Sequence, residues 1–248
     1  MMMQNALKDK LIVIAGGGYF GTEAIISAKE SFAKIILLDK FPNCKASKLA
    51  DEIFNGIDLD EAINVKANKA KFFICDAVKF LIDFLKKTTP DYIVPAIPGN
   101  LTGKLVVRWL ENQNFNIKVE SRLMREVLDE IPKSIVNCYD EDSGTIITSY
   151  MPKGSLCKLP CNQPLEFCPT TGKPKAGAMY KVLEHAIWNK VKASKIIRSY
   201  KLQRNVGCFK GEELKSFLLY IDQIERPYSV AIGTACTCHG ILNIFSVS

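Results

Sequence analysis

Apolar runs of three to five residues recur through the first hundred positions, and the stretches between them repeat their apolar residues at helical spacing. Residues 11–15, 35–38, 72–75 and 92–94 are rich in Ile, Val, Leu and Phe and too short for buried helices, so they read as strands covered on both faces. TEAIISAKESF sets Ala24, Ile25 and Ala28 on one helical face, and AVKFLIDFLKK has the same spacing. The Lys/Asp-mixed SKLADEIFNG reads as a further amphipathic helix, stopped by Gly56. Pro90 breaks the chain before the strand at 92–94, and the loop from Pro95 to Asn100 lies at that strand's carboxyl end. Strand and helix in alternation predict a parallel α/β sheet.

The pattern changes beyond Asn116. SRLMREVLDEI carries Leu123, Val127 and Ile131 on one helical face and stops at Pro132, while KSIVNCYDEDSGTIITSYM reads as two strands around an Asp/Ser/Gly turn. AMYKVLEHAIWNKV predicts a helix with Met179, Val182, Leu183, Ala186 and Ile187 as its apolar stripe, leaving His185 off the stripe. A strand near 196–202, a helix across GEELKSFLLYIDQI and a strand at 228–235 complete an α/β carboxyl half. The predicted division is 1–116 and 117–248.

The first strand runs directly into Gly16-Gly17-Gly18-Tyr19-Phe20-Gly21, which satisfies G-x-G-x-x-G, and a helix, a second strand and Asp39 follow in order. Gly16 suits the tight turn, Gly18 lets backbone amides approach a pyrophosphate, and Gly21 permits close packing of helix on strand. Asp39 is placed to accept hydrogen bonds from a ribose and to repel a 2′-phosphate. Over residues 10 to 116 the chain resembles the Rossmann-type NAD(P)-binding superfamily, including its potassium-uptake regulatory and saccharopine-dehydrogenase-like branches. The resemblance implies a Rossmann-like parallel sheet with a dinucleotide on the turn of Gly16, Gly18, Tyr19, Phe20 and Gly21. Asp39 then favours NAD over NADP, and Lys40 beside it tempers the preference. Open parallel sheets bind ligands at the carboxyl ends of their strands, which adds Asp76, Asn100 and Thr102 as pocket candidates.

The carboxyl half carries a different chemistry. CKLPCNQPLEFCP places Cys157, Cys161 and Cys168 in a Pro- and Gly-rich stretch, 151–177, that has few apolar side chains to offset its ordering entropy. Cys236, Cys238 and His239 form a second knot at a strand end or helix start. Six such side chains predict a Cys-rich metal-binding loop with four of them as ligands, to zinc or to an iron–sulfur cluster; Cys168-Pro169 resembles the end of a cluster-binding run.

Composition narrows the setting. At 248 residues and 48% hydrophobic, the chain can bury one large core or two modest ones. Nine cysteines, and an opening apolar run too short for a signal segment, point to a reducing, cytoplasmic setting without a membrane span. The net charge of +7 is concentrated in 173–210, where ten basic residues face one acidic residue, a candidate surface for an anionic substrate or acidic partner. Aromatic interleaving there is sparse, and no nucleic-acid-binding motif is present. A Tyr-x3-Lys pair, a G-x-S-x-G elbow and a P-loop are also missing, so no catalytic acid or base can be named. Together these features predict an NAD-linked oxidoreductase or electron-transfer protein with a Cys-ligated metal centre. The alternatives are an NAD-responsive regulator with structural zinc, and a metal-stapled scaffold without turnover.

Overall fold

The short apolar runs become the central strands of a parallel sheet. The computed structural model describes residues 7–155, 157, 161–202, 204 and 206–248. In chain order the first half contains β1 (Leu11–Ala15), α1 (Tyr19–Glu30), β2 (Lys34–Asp39), β3 (Glu52–Asn55), α2 (Leu59–Ile63), β4 (Ala70–Ile74), α3 (Ala77–Lys87), β5 (Tyr92–Pro95) and α4 (Leu101–Glu111). There follow β6 (Ile117–Val119), α5 (Ser121–Glu130), β7 (Val136–Asp140), β8 (Thr145–Ser149), α6 (Met179–Ile187), β9 (Ala193–Arg198), β10 (Tyr200–Lys201), β11 (Gly207–Lys210), α7 (Gly211–Asp222), β12 (Tyr228–Ala235) and β13 (His239–Val247). The chain forms a mixed α/β structure of two units, residues 1–101 with 200–216 and residues 102–199 with 217–248.

The first unit is built on a seven-stranded sheet in the order β10-β11-β5-β1-β2-β4-β3. The five strands from β5 to β3 are parallel, and β11 joins antiparallel to β5. Ile12, Val13, Ile14 and Ala15 are fully buried, as are Ile35 to Leu38, in keeping with strands covered on both faces. On one side Ile12 and Ile14 join Ala24, Ile25 and Ala28 of α1 in a core that also takes Leu202, Val206 and Cys208. Elsewhere Phe73, Phe80 and Phe84 form a ladder of rings with centroids 5.3 and 5.5 Å apart.

The second unit has a six-stranded sheet in which β7-β8-β13-β12-β9 are consecutive and β6 also pairs with β13. Met124 and Val127 of α5 and Met179, Leu183, Ala186 and Ile187 of α6 pack with Ile146, Ala231, Ala235, Leu242 and Ile244 of the sheet. His185, off that stripe, is exposed.

Three expectations change. SKLADEIFNG is not an α-helix but a 3-10 turn at Lys45–Leu49 followed by β3. Asp51 diverts it: the carboxylate accepts from Ala70 N at 2.8 Å and pairs with Lys29 at 2.9 Å and Lys69 at 3.3 Å, starting the edge strand beside β4. Phe54 then stacks on Phe73 at 4.9 Å. The strand expected near 196–202 divides into β9 and β10, which belong to different sheets. The unit boundary falls at 101/102 rather than 116, and 200–216 return to the first sheet because β5 would otherwise expose an unpaired edge. No described helix is long and apolar enough to cross a membrane.

Candidate functional site

Each glycine of the first turn answers to a different neighbour. Gly16 has φ +109°, and a Cβ there would lie 2.5 Å from Ala96 O, so both its backbone and the closeness of the chain after β5 require glycine. At Gly17 a Cβ would come within 2.2 Å of Cys44 Sγ, and at Gly21 within 1.9 Å of Gly16 O. Gly18 differs. Its φ of −74° is outside the left-handed region, its ψ of −152° lies just past the usual extended range, and a Cβ there would meet nothing within 4 Å. No neighbour in the fold therefore demands glycine at 18.

Gly18 is also the N-cap of α1, and no side chain caps it. The first-turn amides of Tyr19, Phe20 and Gly21 have no intrahelical acceptors, by the geometry of any α-helix, and they carry its positive dipole end. Around this turn Tyr19, Phe20 and Phe41 are 61%, 60% and 72% exposed, unusual for large rings. Tyr19 and Phe20 stand edge to face at 5.4 Å, and Lys45 Nζ lies 5.2 Å from the Tyr19 ring centroid. The turn thus offers amide donors, a cation and apolar ring faces together.

Asp39 is already engaged within the protein. Its Oδ2 accepts from Gly17 N at 2.6 Å and its Oδ1 from Phe41 N at 2.9 Å, so it braces the glycine turn against the loop after β2. Ala46 N donates to Gly17 O at 2.9 Å, closing the same side. Asp76 caps α3 through Lys79 N at 2.8 Å and pairs with Lys40 at 2.8 Å. Burial pushes the Asp76 carboxyl up, but Lys40 and the helix amides outweigh it and hold the group below its ordinary range. Asn100 and Thr102 are buried at the start of α4.

In the second unit the two cysteine knots meet. Cys236 to Cys238 form the turn of the β12–β13 hairpin, not a helix start, with Cys236 N donating to His239 O at 2.9 Å. Cys236 Sγ accepts from Cys238 N and His239 N, each at 3.3 Å, and lies 3.7 Å from His239 Nδ1. The other ring nitrogen of His239 is 3.9 Å from Cys157 Sγ. Cys238 Sγ receives Lys175 Nζ at 3.1 Å. Cys168 is buried with its Sγ 3.7 Å from Met151 Sδ, and Cys161 Sγ accepts from Gln163 N at 3.4 Å. Gln163 in turn takes a bond from Thr237 Oγ1 at 3.3 Å.

Among the described residues no group of three or more His, Cys, Asp or Glu is placed to hold a metal ion, which corrects the expectation of one shared zinc or iron–sulfur centre. The contacts explain why. Lys175 sets an ammonium against Cys238, and Cys168 turns to a thioether. The neighbouring Cys238 side chain, with the hairpin amides, pulls the Cys236 thiol down to about 6, and Cys236, with burial, pushes the Cys238 thiol up to about 12. Lys175 was not identifiable from the sequence; it was only one cation in the basic segment. That segment itself divides, with 173–199 in the second unit and 200–210 in the first. Arg204 is tied to Glu30 at 2.7 Å and Glu23 at 3.4 Å, and Lys190 to Glu130 at 3.1 Å.

Comparison with known proteins adds a family. Residues 103–248 match the model AF_1314_C, described as an uncharacterized protein, C-terminal domain, and residues 11–101 match AF_1314_N, the corresponding N-terminal domain. The chain belongs to the AF_1314 family. An uncharacterized protein of Archaeoglobus fulgidus is 24% identical over 93% of this chain and 96% of its own length. The formate-dependent phosphoribosylglycinamide formyltransferases of Prochlorococcus marinus (strain MIT 9515) and Hydrogenovibrio crunogenus are each 31% identical, over 46% and 43% of this chain. The matches span only 24% and 22% of those two enzymes. No solved structure matches the chain.

These matches correct the expectation of an NAD-linked oxidoreductase or electron-transfer protein, and the NAD-responsive alternative with it. The physical reason lies in the motif. Glycines at these spacings report that backbone amides can approach a phosphate; they carry no information about a nicotinamide.

Proposed function

We propose that the first unit of this AF_1314 family member is Rossmann-like and binds the phosphate of a small-molecule substrate on the Gly18–Gly21 turn. The observation that carries this reading is Gly18. The other three glycines of the turn are each held to glycine by a close neighbour, whereas Gly18 faces open space with an ordinary φ. A glycine at a position where no neighbour excludes a side chain fits a surface open to a ligand. The uncapped first turn of α1 supplies amide donors and a favourable dipole for an anion, Lys45 adds charge, and Tyr19, Phe20 and Phe41 provide faces for the rest of the molecule.

The formyltransferase likeness supports the same class, because the substrate in that enzyme's name, phosphoribosylglycinamide, is a phosphorylated compound. Only the phosphorylated character is carried over, since the match spans about a quarter of the enzyme. The nine unbridged cysteines suit a reducing, cytoplasmic setting.

Calorimetric titration of the full chain with phosphoribosylglycinamide and ATP, each beside an unphosphorylated counterpart, tests the proposal. Phosphorylated compounds should bind, their counterparts should not, and Gly18→Val should abolish binding while leaving the melting temperature unchanged. Equal binding of ATP and adenosine, or undiminished binding by Gly18→Val, would refute it.

A further inference from the structure

In the second unit β9 ends the sheet and α6 packs across it through Leu183, Ala186 and Ile187, and the two elements border an open cavity of about 620 Å³. That volume lies within the roughly 300–1,000 Å³ of small-molecule sites. Ile187 and Ile196, each 3% exposed, give it an apolar floor. Lys181, Glu184 and His185 of α6, Trp188 of the turn that follows, and Lys195 of β9 also line it.

Trp188 is 70% exposed, although an indole is among the side chains that gain most from burial. Its place is set by the backbone. It leaves α6 with φ −59° and ψ 130°, and Asn189 follows in the left-handed region with φ +57°. Trp188 N donates to His185 O at 3.1 Å and Lys190 N to Ile187 O at 3.2 Å, so a hydrogen-bonded turn holds the indole off the apolar stripe and at the cavity. The charges around it are also uncommitted. Lys190 is tied to Glu130 at 3.1 Å, whereas the ammonium groups of Lys181 and Lys195 have no acidic partner among the described residues. Unpaired surface lysines alone are ordinary. What sets these two apart is a shared cavity with an exposed indole and an apolar floor.

We infer that this cavity binds a flat aromatic ligand carrying one anionic group, a carboxylate or a phosphate. The ring lies against Trp188 and over Ile187 and Ile196, and Lys181 and Lys195 answer the charge, with His185 adding a polar contact. Glu184 opposes negative charge in the same wall, so a ligand with a single anionic group fits better than a polyanion. The site lies wholly within the second unit and does not depend on the phosphate-binding reading of the first.

The chain has two tryptophans, so an isotopically labelled sample of the full chain gives two indole N–H signals. Trp109 is 8% exposed and its Nε1 donates to Asp222 Oδ1 at 2.8 Å, which makes it an internal reference. Naphthoate and naphthyl phosphate, titrated beside uncharged naphthamide and naphthol, should move the Trp188 signal and leave that of Trp109 in place. The charged compounds should bind roughly fivefold more tightly than the uncharged ones, and the better of the two identifies carboxylate or phosphate as the anionic group. By calorimetry, Trp188→Ala should weaken naphthoate about tenfold. Lys181→Ala combined with Lys195→Ala should erase the preference for the charged compounds, and Glu184→Gln should tighten it. All these variants should melt at the wild-type temperature, and Gly18→Val should bind naphthoate as wild type does, which separates failure here from failure at the glycine turn. A Trp188 signal unmoved by every compound, naphthamide binding as tightly as naphthoate, or affinity unchanged by Trp188→Ala would overturn the proposal.

Discussion

Replacing Gly21 by Ala and Gly18 by Ala separates the two roles assigned to the glycine turn. At Gly21 the new methyl carbon would lie 1.9 Å from Gly16 O and 3.0 Å from Gly16 C, whereas ordinary contact begins at 3.4 Å, so α1 must back away from the turn by about 1.5 Å. The obstacle is backbone and cannot rotate aside. Overpacking of this kind costs about 1–3 kcal/mol, more than the helix-propensity gain of up to about 1 kcal/mol that alanine brings. At roughly 4 °C per kcal/mol for a unit of this size, a net loss of about 1–2 kcal/mol lowers the melting temperature of the first unit by about 4–8 °C. Gly18→Ala meets nothing within 4 Å and should change stability by less than about 0.5 kcal/mol. Paired thermal and urea unfolding of both variants reads the contrast directly. A Gly21→Ala protein as stable as wild type, or a Gly18→Ala protein destabilised as much as Gly21→Ala, would refute the reasoning.

Other outcomes follow from particular contacts. Burial pushes the Asp51 carboxyl up, but Ala70 N, Lys29 and Lys69 outweigh it and lower its pKa, so its stabilising contribution is complete above the unfolded value of about 3.9 and is lost as pH falls through the lower folded value. Asp51→Asn should cost about 1–2 kcal/mol at pH 7 and flatten the decline in stability between pH 5 and 2; parallel wild-type and variant curves in urea would contradict this. Burial pushes the Cys75 and Cys208 thiols up to about 12, so both should resist iodoacetamide at pH 8 until urea unfolds the chain. Early alkylation of either, seen by mass spectrometry, would show that its surroundings are open. Exposed His185 should tolerate replacement by Ala with a change below about 0.5 kcal/mol, and a larger drop in the unfolding midpoint would reveal an unrecognised contact.

The alternation of strand and helix was legible wherever one residue's neighbours in sequence were also its neighbours in space. β1, α1 and β2 follow from the 11–38 pattern, and α5, α6 and α7 from their apolar spacing. SKLADEIFNG misled because its helical spacing is real, while Lys29 and Lys69, which fix Asp51 at the strand start, are distant in sequence or lie on another element. β11 was missed for a similar reason: it pairs with β5, more than a hundred residues earlier, and nothing local announces it. At the site, the glycine spacing located the strand-to-helix turn, but Asp39 proved to brace Gly17 and Phe41. The cysteine spacing suggested a metal, and the deciding residue was Lys175, whose place beside Cys238 depends on how the Pro-rich loop folds back.

Amide chemical-shift mapping tests the central claim most directly. On titrating the isotopically labelled full chain with phosphoribosylglycinamide or ATP, the amides of Gly18, Tyr19, Phe20 and Gly21 should shift first and most, and the same titration of Gly18→Val should leave them still. Shifts confined to residues away from this turn, or none at all with either phosphorylated compound, would contradict the account.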